Sequence, residues 1–313
     1  MAINFDFHSP SAFHRLLRQL QIYAGMIYRV DWLTMFIFAR LKIVQKYAGR
    51  ERNPGLASPW VAVEPAMLRT EQPVQEIVRR IAVDGIADGL HLSEEAVAEV
   101  ISFAAFAPCY GNAEPHRLLD RCPCGCLISA DAVVGDYLDG IADCDVVRQL
   151  WRDPRILAIA RSSLGTRPLP LRARLWWSFR ADHATAEMRA VHSQNSFHFD
   201  LDDWRAVKFF FYMTDVGDDN GPHIYVRKSH RIRTTRDQLS PFKSRTSQYI
   251  ASRYGRDNFT VMRGPAGTGF VEDPYGFHTG MAVKGAARLM LEFEYGVSRT
   301  PVVGGPFYVP AVD

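Results

Sequence analysis

Long uninterrupted apolar runs are absent from this sequence, and a membrane span is absent with them. Residues 19–45 are rich in apolar side chains, but Arg29, Asp31, Arg40 and Lys42 break the stretch. The uncharged pieces, 19–28 and 32–39, fall well short of the ~20 residues that a bilayer crossing needs. Cysteine is scarce and clustered: Cys109, Cys122, Cys124, Cys126 and Cys144 are all there is, which does not make a disulfide framework. The first ten residues carry Asp6 and lack a basic-then-apolar leader layout. Together these favour a reducing, cytoplasmic setting. Charge of one sign is also missing. Lys and Arg number 37 against 34 Asp and Glu, a net +3, and no basic patch is interleaved with aromatics, so no nucleic-acid partner is expected. Repeats and low-complexity segments do not occur. What is there is ordinary: 47% hydrophobic and 23% charged residues, enough for a sizeable core.

Two textures divide the chain. In residues 1–60, Leu16, Leu20, Tyr23, Ile27, Val30, Ile37, Leu41 and Val44 recur at helical steps and make an apolar stripe. Residues 1–53 hold eight Lys/Arg against three Asp/Glu, a local net charge of +5. Two placements fit such a helix: packed on a core, or lying on an anionic membrane surface through residues 11–48. Amphipathic helices usually face a core, which is the expected placement here, and Trp32, Met35, Phe36 and Phe38, which lie off the stripe, keep the membrane open as the alternative. Residues 61–170 read as a helical flank. It holds a helical region over 74–107, with Ser93 as an N-cap and Glu94 and Glu95 in the first turn. A helical pair follows over 130–141 and 145–164, the second breaking at Pro154. From 171 to 313 the pattern is of strands, at 172–179, 206–215, 223–228, 259–263, 268–272 and 287–297. Turns such as Asp218-Asp219-Asn220-Gly221-Pro222 separate them, and a helical insert runs over 236–254. Helices followed by many antiparallel strands predict an α+β chain with a mainly β core. The expected architecture is a double-stranded β-helix (a cupin-like jelly roll) with a helical N-terminal flank, built as one integrated domain.

The chemistry centres on His198-Phe199-Asp200. In a strand, residues two apart share a face, so both side chains can reach one ion. Two imidazoles and one carboxylate on one octahedral face leave the other positions open for a chelating cosubstrate and O2, the pattern of non-haem Fe(II) oxygenases. His278 supplies a second histidine in a turn-rich stretch that follows a strand. Ten residues on, Arg288 begins the apolar run Ala287-Arg288-Leu289-Met290-Leu291-Glu292-Phe293-Glu294-Tyr295. An arginine there needs an anionic partner. A dicarboxylate such as 2-oxoglutarate would pair with it in bidentate fashion. Glu292, Glu294 and Asp273 are the alternatives within the chain.

The run from Lys208 to His230, with its strand, Asn220-Gly221-Pro222 turn, second strand and Ser229-His230 pair, resembles the phytanoyl-CoA dioxygenase family. With His198-x-Asp200, Gly276-Phe277-His278 and Arg288-Leu-Met-Leu, the likeness spans roughly residues 171–297. The resemblance implies a double-stranded β-helix in which His198, Asp200 and His278 bind Fe(II) and Arg288 binds the distal carboxylate of 2-oxoglutarate. It also implies O2-dependent hydroxylation with release of succinate and CO2, because halogenating relatives carry a small residue where Asp200 stands. Met290 departs from the family's frequent Ser or Thr, so the second contact to 2-oxoglutarate falls to Lys208 and Tyr212, which share a strand face. Small molecules, lipids and sugar-lipids are the substrate classes the resemblance allows, and the basic apolar N-terminus tilts this towards a lipid or glycolipid.

Other residues stand near this constellation. His192 precedes His198 by an even offset and would share its face in an unbroken strand. His223 follows the turn and faces either pocket or solvent. Trp177, with Arg180 after it, is a candidate wall of a substrate channel, and Asp273 a candidate behind the metal ligands. Cys122-Pro-Cys124-Gly-Cys126 lacks the second pair that a structural zinc site uses and reads as a reduced cluster. Two other functions compete: a degenerate jelly-roll binding module, and another metal-dependent cupin-type enzyme with no cosubstrate, which would have no use for Arg288.

Overall fold

The computed structural model describes residues 30–48, 67–122, 131–138 and 140–298, with Leu127, Ile128 and scattered positions before residue 30. Its helices are α1 (Val30–Phe38), α2 (Lys42–Tyr47), α3 (Val74–Asp84), α4 (Glu94–Phe106), α5 (Asp145–Trp151), α6 (Pro154–Leu164), α7 (Ala186–Val191), α8 (Thr235–Leu239) and α9 (Ser247–Tyr254). The first strands are β1 (Leu68–Thr70), β2 (Ile86–Leu92), β3 (Tyr110–Gly111), β4 (Val134–Asp136) and β5 (Leu169–Ser178). Next come β6 (Phe197–His198), β7 (Ala206–Tyr212), β8 (His223–Val226) and β9 (Ser244–Arg245). β10 (Phe259–Met262), β11 (Thr268–Glu272), β12 (His278–Gly280) and β13 (Arg288–Gly296) complete the set. Antiparallel pairing orders them into an eight-stranded sheet, β1-β2-β11-β7-β13-β5-β4-β3, and a five-stranded sheet, β10-β8-β12-β6-β9. This is the double-sheet jelly roll that the strand pattern predicts.

The larger sheet is buried on both faces. Along β13, Leu289, Leu291, Phe293 and Tyr295 join the core built with α3, α4, α5 and α6, whereas Met290 joins a separate cluster on the inner face. Period-two alternation sorts one set outward and the other inward. Helix ends follow local chemistry. The Ser93 hydroxyl accepts the Ala96 N–H at 3.2 Å at the start of α4. Asp153 caps α6, with Pro154 at its first position, as the break at Pro154 predicts.

The flank is less helical than its sequence suggests. Residues 61–170 deliver β1 to β4, half of the larger sheet, and the region expected to be helical around residues 130–141 contains β4 and a 3-10 turn. These strands are only 2–7 residues long, too short to impose a period that stands out from the helices beside them. The sheet therefore begins about a hundred residues before the expected boundary at 171.

The N-terminal helix also differs. The off-stripe residues Trp32, Met35 and Phe36 are buried, together with Ala39, in one cluster with Phe197 and Ile224 of the smaller sheet and with Phe199 and Leu201 just beyond β6. Burial of each large side chain contributes on the order of 1.5–3 kcal/mol. Val30 and Ile37 of the stripe are exposed instead. Tertiary packing thus chose the aromatic face, and α1 lies directly behind the strand that carries His198. No helix among the described residues is long and apolar enough to cross a membrane.

Candidate metal centre

β6 and β12 are neighbours, and their register places His198 opposite His278. The imidazole centroids lie 4.4 Å apart. Asp200 follows just past the end of β6, its N–H donating to the Pro274 carbonyl at 2.8 Å. One ligand atom from each of His198, Asp200 and His278 falls within 4.8 Å of the others. Asp200 Oδ1 is 3.8 Å from His198 Nε2, and its Oδ2 is 3.4 Å from His278 Nε2.

The tautomers suit a metal. His198 Nδ1 lies 2.9 Å from the Ser196 carbonyl and His278 Nδ1 lies 3.0 Å from the Gly276 carbonyl. A carbonyl only accepts, so each Nδ1 carries the proton and each Nε2 presents a lone pair to the centre. Burial holds His198 neutral, with its pKa pushed down to about 3. Burial opposes charge on His278 as well, but the carboxylates of Glu272 and Asp200 outweigh it and raise the pKa. Asp200 stays well below the usual carboxylate range: burial works against the charge, and the Lys208 ammonium overcomes it. A neutral imidazole, a second held between carboxylates and an anionic carboxylate make the donor set that an Fe(II) ion uses.

The turn before β12 is fixed by packing. Tyr225 Oη donates to the Asp273 carbonyl at 2.9 Å, and a Cβ at either Gly85 or Gly276 would collide with that hydroxyl. Asp273 does not stand behind the metal ligands as expected. Its carboxylate accepts the Tyr275 N–H at 2.9 Å and closes the turn.

Arg288 is 3% exposed at the start of β13. Its guanidinium donates to the Gly221 carbonyl and to Ser178 Oγ, while Nε is buried without a hydrogen-bond partner. Among the described residues no carboxylate pairs with it. Glu292 and Glu294 are taken by Arg172, 2.9 Å from each, and burial pushes the Arg288 pKa down. An orphaned donor on a buried, unpaired guanidinium fits the distal carboxylate of 2-oxoglutarate, since both groups are planar and bidentate.

The remaining candidates divide. Lys208 and Tyr212 do share the inner face of β7, but neither is left for a cosubstrate. Tyr212 Oη donates to the Met262 carbonyl and accepts the His223 N–H, both at 3.0 Å, and burial pushes its pKa up to about 12. The Lys208 ammonium is buried 2.6 Å from Asp200 and 3.0 Å from Asp202. His223 faces inward, 2.8 Å from Glu272 and with its ring over that of His278. His192 caps the end of α7, so the unbroken strand expected between it and His198 does not exist. Trp177 points to the outer core, its Nε1 donating to Tyr137 Oη at 3.0 Å. Trp176 takes the inner face instead, because the register pairs it with Met290. Arg180 is exposed and pairs with Asp182. His230 does not bond a loop; its Nε2 lies 3.4 Å from the Ala82 carbonyl in the last turn of α3. Cys122 is disulfide-bonded, so the stretch is not the reduced cluster that the absent second pair suggested. Cys124 and Cys126 lie outside the described residues.

Residues not anticipated as functional complete the interior: Arg172, Asp202, Glu272, Glu292 and Glu294. For Arg172, Glu292 and Glu294 the signal was present in the alternation Arg172-x-Arg174 on β5 and Glu292-x-Glu294 on β13, where charged residues stand two apart in otherwise apolar strands.

The phytanoyl-CoA dioxygenase (PhyH) family model matches residues 132–289. No curated protein sequence matches the chain. Among solved structures the fold is similar to the epimerase SnoN in complex with Fe3+, alpha ketoglutarate and nogalamycin RO. That protein is 18% identical, with 76% of this chain and 94% of that chain covered at a TM-score of 0.49. It is similar as well to HygX from Streptomyces hygroscopicus with nickel and 2-oxoglutarate bound, at 14% identity, 75% and 96% coverage and a TM-score of 0.49. EctD from S. alaskensis with bound Fe shares 15% identity over 82% and 86% of the two chains, with a TM-score of 0.46.

Proposed function

The chain belongs to the phytanoyl-CoA dioxygenase family, and from that premise we propose that His198, Asp200 and His278 hold its Fe(II) and that Arg288 anchors 2-oxoglutarate. As a family member it is a non-haem iron oxygenase that uses 2-oxoglutarate. The reaction we assign is hydroxylation of an aliphatic C–H bond. One oxygen atom of O2 goes to the substrate and the other to succinate, with loss of CO2. The convergence of three ligand atoms within 4.8 Å supports this reading most directly.

When bound, the metal and 2-oxoglutarate supply O2 activation coupled to oxidative decarboxylation of the keto acid. The chain's own groups prepare the site. The Ser196 and Gly276 carbonyls hold both imidazoles in the ligating tautomer. Gly221 and Ser178 fix the Arg288 guanidinium while leaving Nε to be satisfied. Three filled ligand positions and an unpaired arginine argue against a degenerate binding module or an enzyme without cosubstrate. Purified protein given Fe(II) and 2-oxoglutarate should release succinate slowly without substrate. Folded protein that neither forms succinate nor binds 2-oxoglutarate would refute the assignment.

For the substrate class, the wall beside the triad supports one reading. Arg172 and Asp202 keep 13% and 14% of their side chains open to solvent. A hydroxyl-bearing small molecule, such as a sugar or a sugar-lipid headgroup, suits such a charged wall better than a bare acyl chain does. Peripheral association with the inner face of a membrane through residues 11–48 is part of the same reading. Leu16, Leu20, Val30, Ile37, Phe38 and Ile43 are exposed in a segment of net charge +5. Full-length protein should pellet with anionic vesicles, and Ile37→Ser with Ile43→Ser should reduce this. Equal partitioning of the two proteins would end the membrane reading.

A further inference from the structure

The motif around the triad contains one carboxylate more than the metal needs. His198, Asp200 and Asp202 are spaced two apart, so an extended backbone would present both carboxylates on the side of the histidine. Only Asp200 joins the ligand group. Between them sits Lys208, 1% exposed, with Nζ 2.6 Å from Asp200 Oδ2 and 3.0 Å from Asp202 Oδ2. Glu294 and Glu292 approach the same ammonium at 3.7 and 3.9 Å. Arg172 holds Asp202 from the other side at 3.3 Å. Burying an ammonium is costly unless several anions compensate it, and the register provides them, since Lys208 stands opposite both Glu272 and Glu294.

We propose that Lys208 is a positioning residue that holds Asp202 away from the metal, so that the chain contributes three ligands and not four. This rests on the reading of His198, Asp200 and His278 as the metal ligands. Lys208 donates to one oxygen of each carboxylate and so ties the second carboxylate to the wall. A fourth protein ligand would close one of the positions that a chelating cosubstrate and O2 require. The ammonium has no acceptor lone pair, so it can restrain the carboxylates without competing for the ion.

The test uses the full chain and calorimetric titration with Mn(II) alone, then with 2-oxoglutarate added to the Mn(II)-loaded protein. Lys208→Met should bind Mn(II) at least as tightly as the unaltered chain, yet bind 2-oxoglutarate about tenfold or more weakly. Adding Asp202→Asn should return 2-oxoglutarate affinity to within about threefold of the unaltered chain, because the intruding ligand is gone. Adding Glu292→Gln removes an equal charge but leaves Asp202 free, and should not rescue. Unchanged 2-oxoglutarate affinity in Lys208→Met, rescue by both second changes, or rescue by neither would overturn the proposal. If Lys208→Met alone does not fold, the two double variants are compared directly and must differ in the same sense. Failure of the unaltered chain to bind Mn(II) or 2-oxoglutarate would count against the metal-site reading instead.

Discussion

Along β13 every residue from Arg288 to Gly296 is buried, yet its two faces have opposite compositions. Leu289, Leu291, Phe293 and Tyr295 look outward into the helical layer, and Arg288, Met290, Glu292 and Glu294 look inward between the sheets. Equal burial therefore does not mean equal purpose. The outward set gains stability from apolar area removed from water. The inward set spends stability on desolvated charge, and an enzyme retains that expense only where a ligand or a metal repays it. An arginine left with an unpartnered Nε is the clearest case.

The largest expected effect separates these two faces. Arg288→Leu should weaken 2-oxoglutarate binding by roughly 100-fold, the loss of two charge-assisted hydrogen bonds. The same change should leave the melting temperature of the ligand-free protein unchanged or higher, because a buried unpaired charge has been removed. Leu291→Ala, three residues along on the opposite face, should do the reverse. It should cost about 2–5 kcal/mol in denaturant unfolding while 2-oxoglutarate affinity stays within about twofold. A drop in stability for Arg288→Leu equal to that for Leu291→Ala would erase the distinction between the faces.

A smaller effect comes from a buried polar group that belongs to neither face. His230 is 9% exposed, and burial lowers its pKa. A histidine depressed in the folded state is stabilising above its unfolded pKa of about 6.5, and that contribution is lost as pH falls below it. His230→Gln should therefore flatten the loss of melting temperature between about pH 6.5 and 5, a window above the carboxylate range. It should leave 2-oxoglutarate binding unaltered, in contrast to Arg288→Leu. An identical pH slope in the variant would show that His230 does not contribute.

Local chemistry made much of this legible beforehand. The six strand segments after residue 171 could be read because their β-branched and aromatic runs are bounded by Gly, Pro, Asn and Asp. The ligand triad could be read because the i, i+2 spacing and the later Gly-Phe-His carry the chemistry with them. Strands β1, β3 and β4 were obscured because two or three residues carry no detectable period, and their strand character comes from the neighbours that pair with them. The face of α1 was misassigned for a similar reason: both of its sides are apolar, and only the Phe197 and Phe199 side chains it meets decide which is buried.

The triad itself shows where the boundary lies. His198-Phe199-Asp200, His278 and Arg288 were determined by residue type and spacing, since those properties travel with the chain. Sequence alone could not choose Trp176 over Trp177, nor could it tell that Lys208 serves carboxylates and that Arg288 has none. Each of these depends on cross-strand register: which residue stands opposite another across β5, β13, β7 and β11. Register is a property of the folded sheets, because it brings together side chains that lie more than a hundred residues apart in the chain, as Arg288 and Ser178 do.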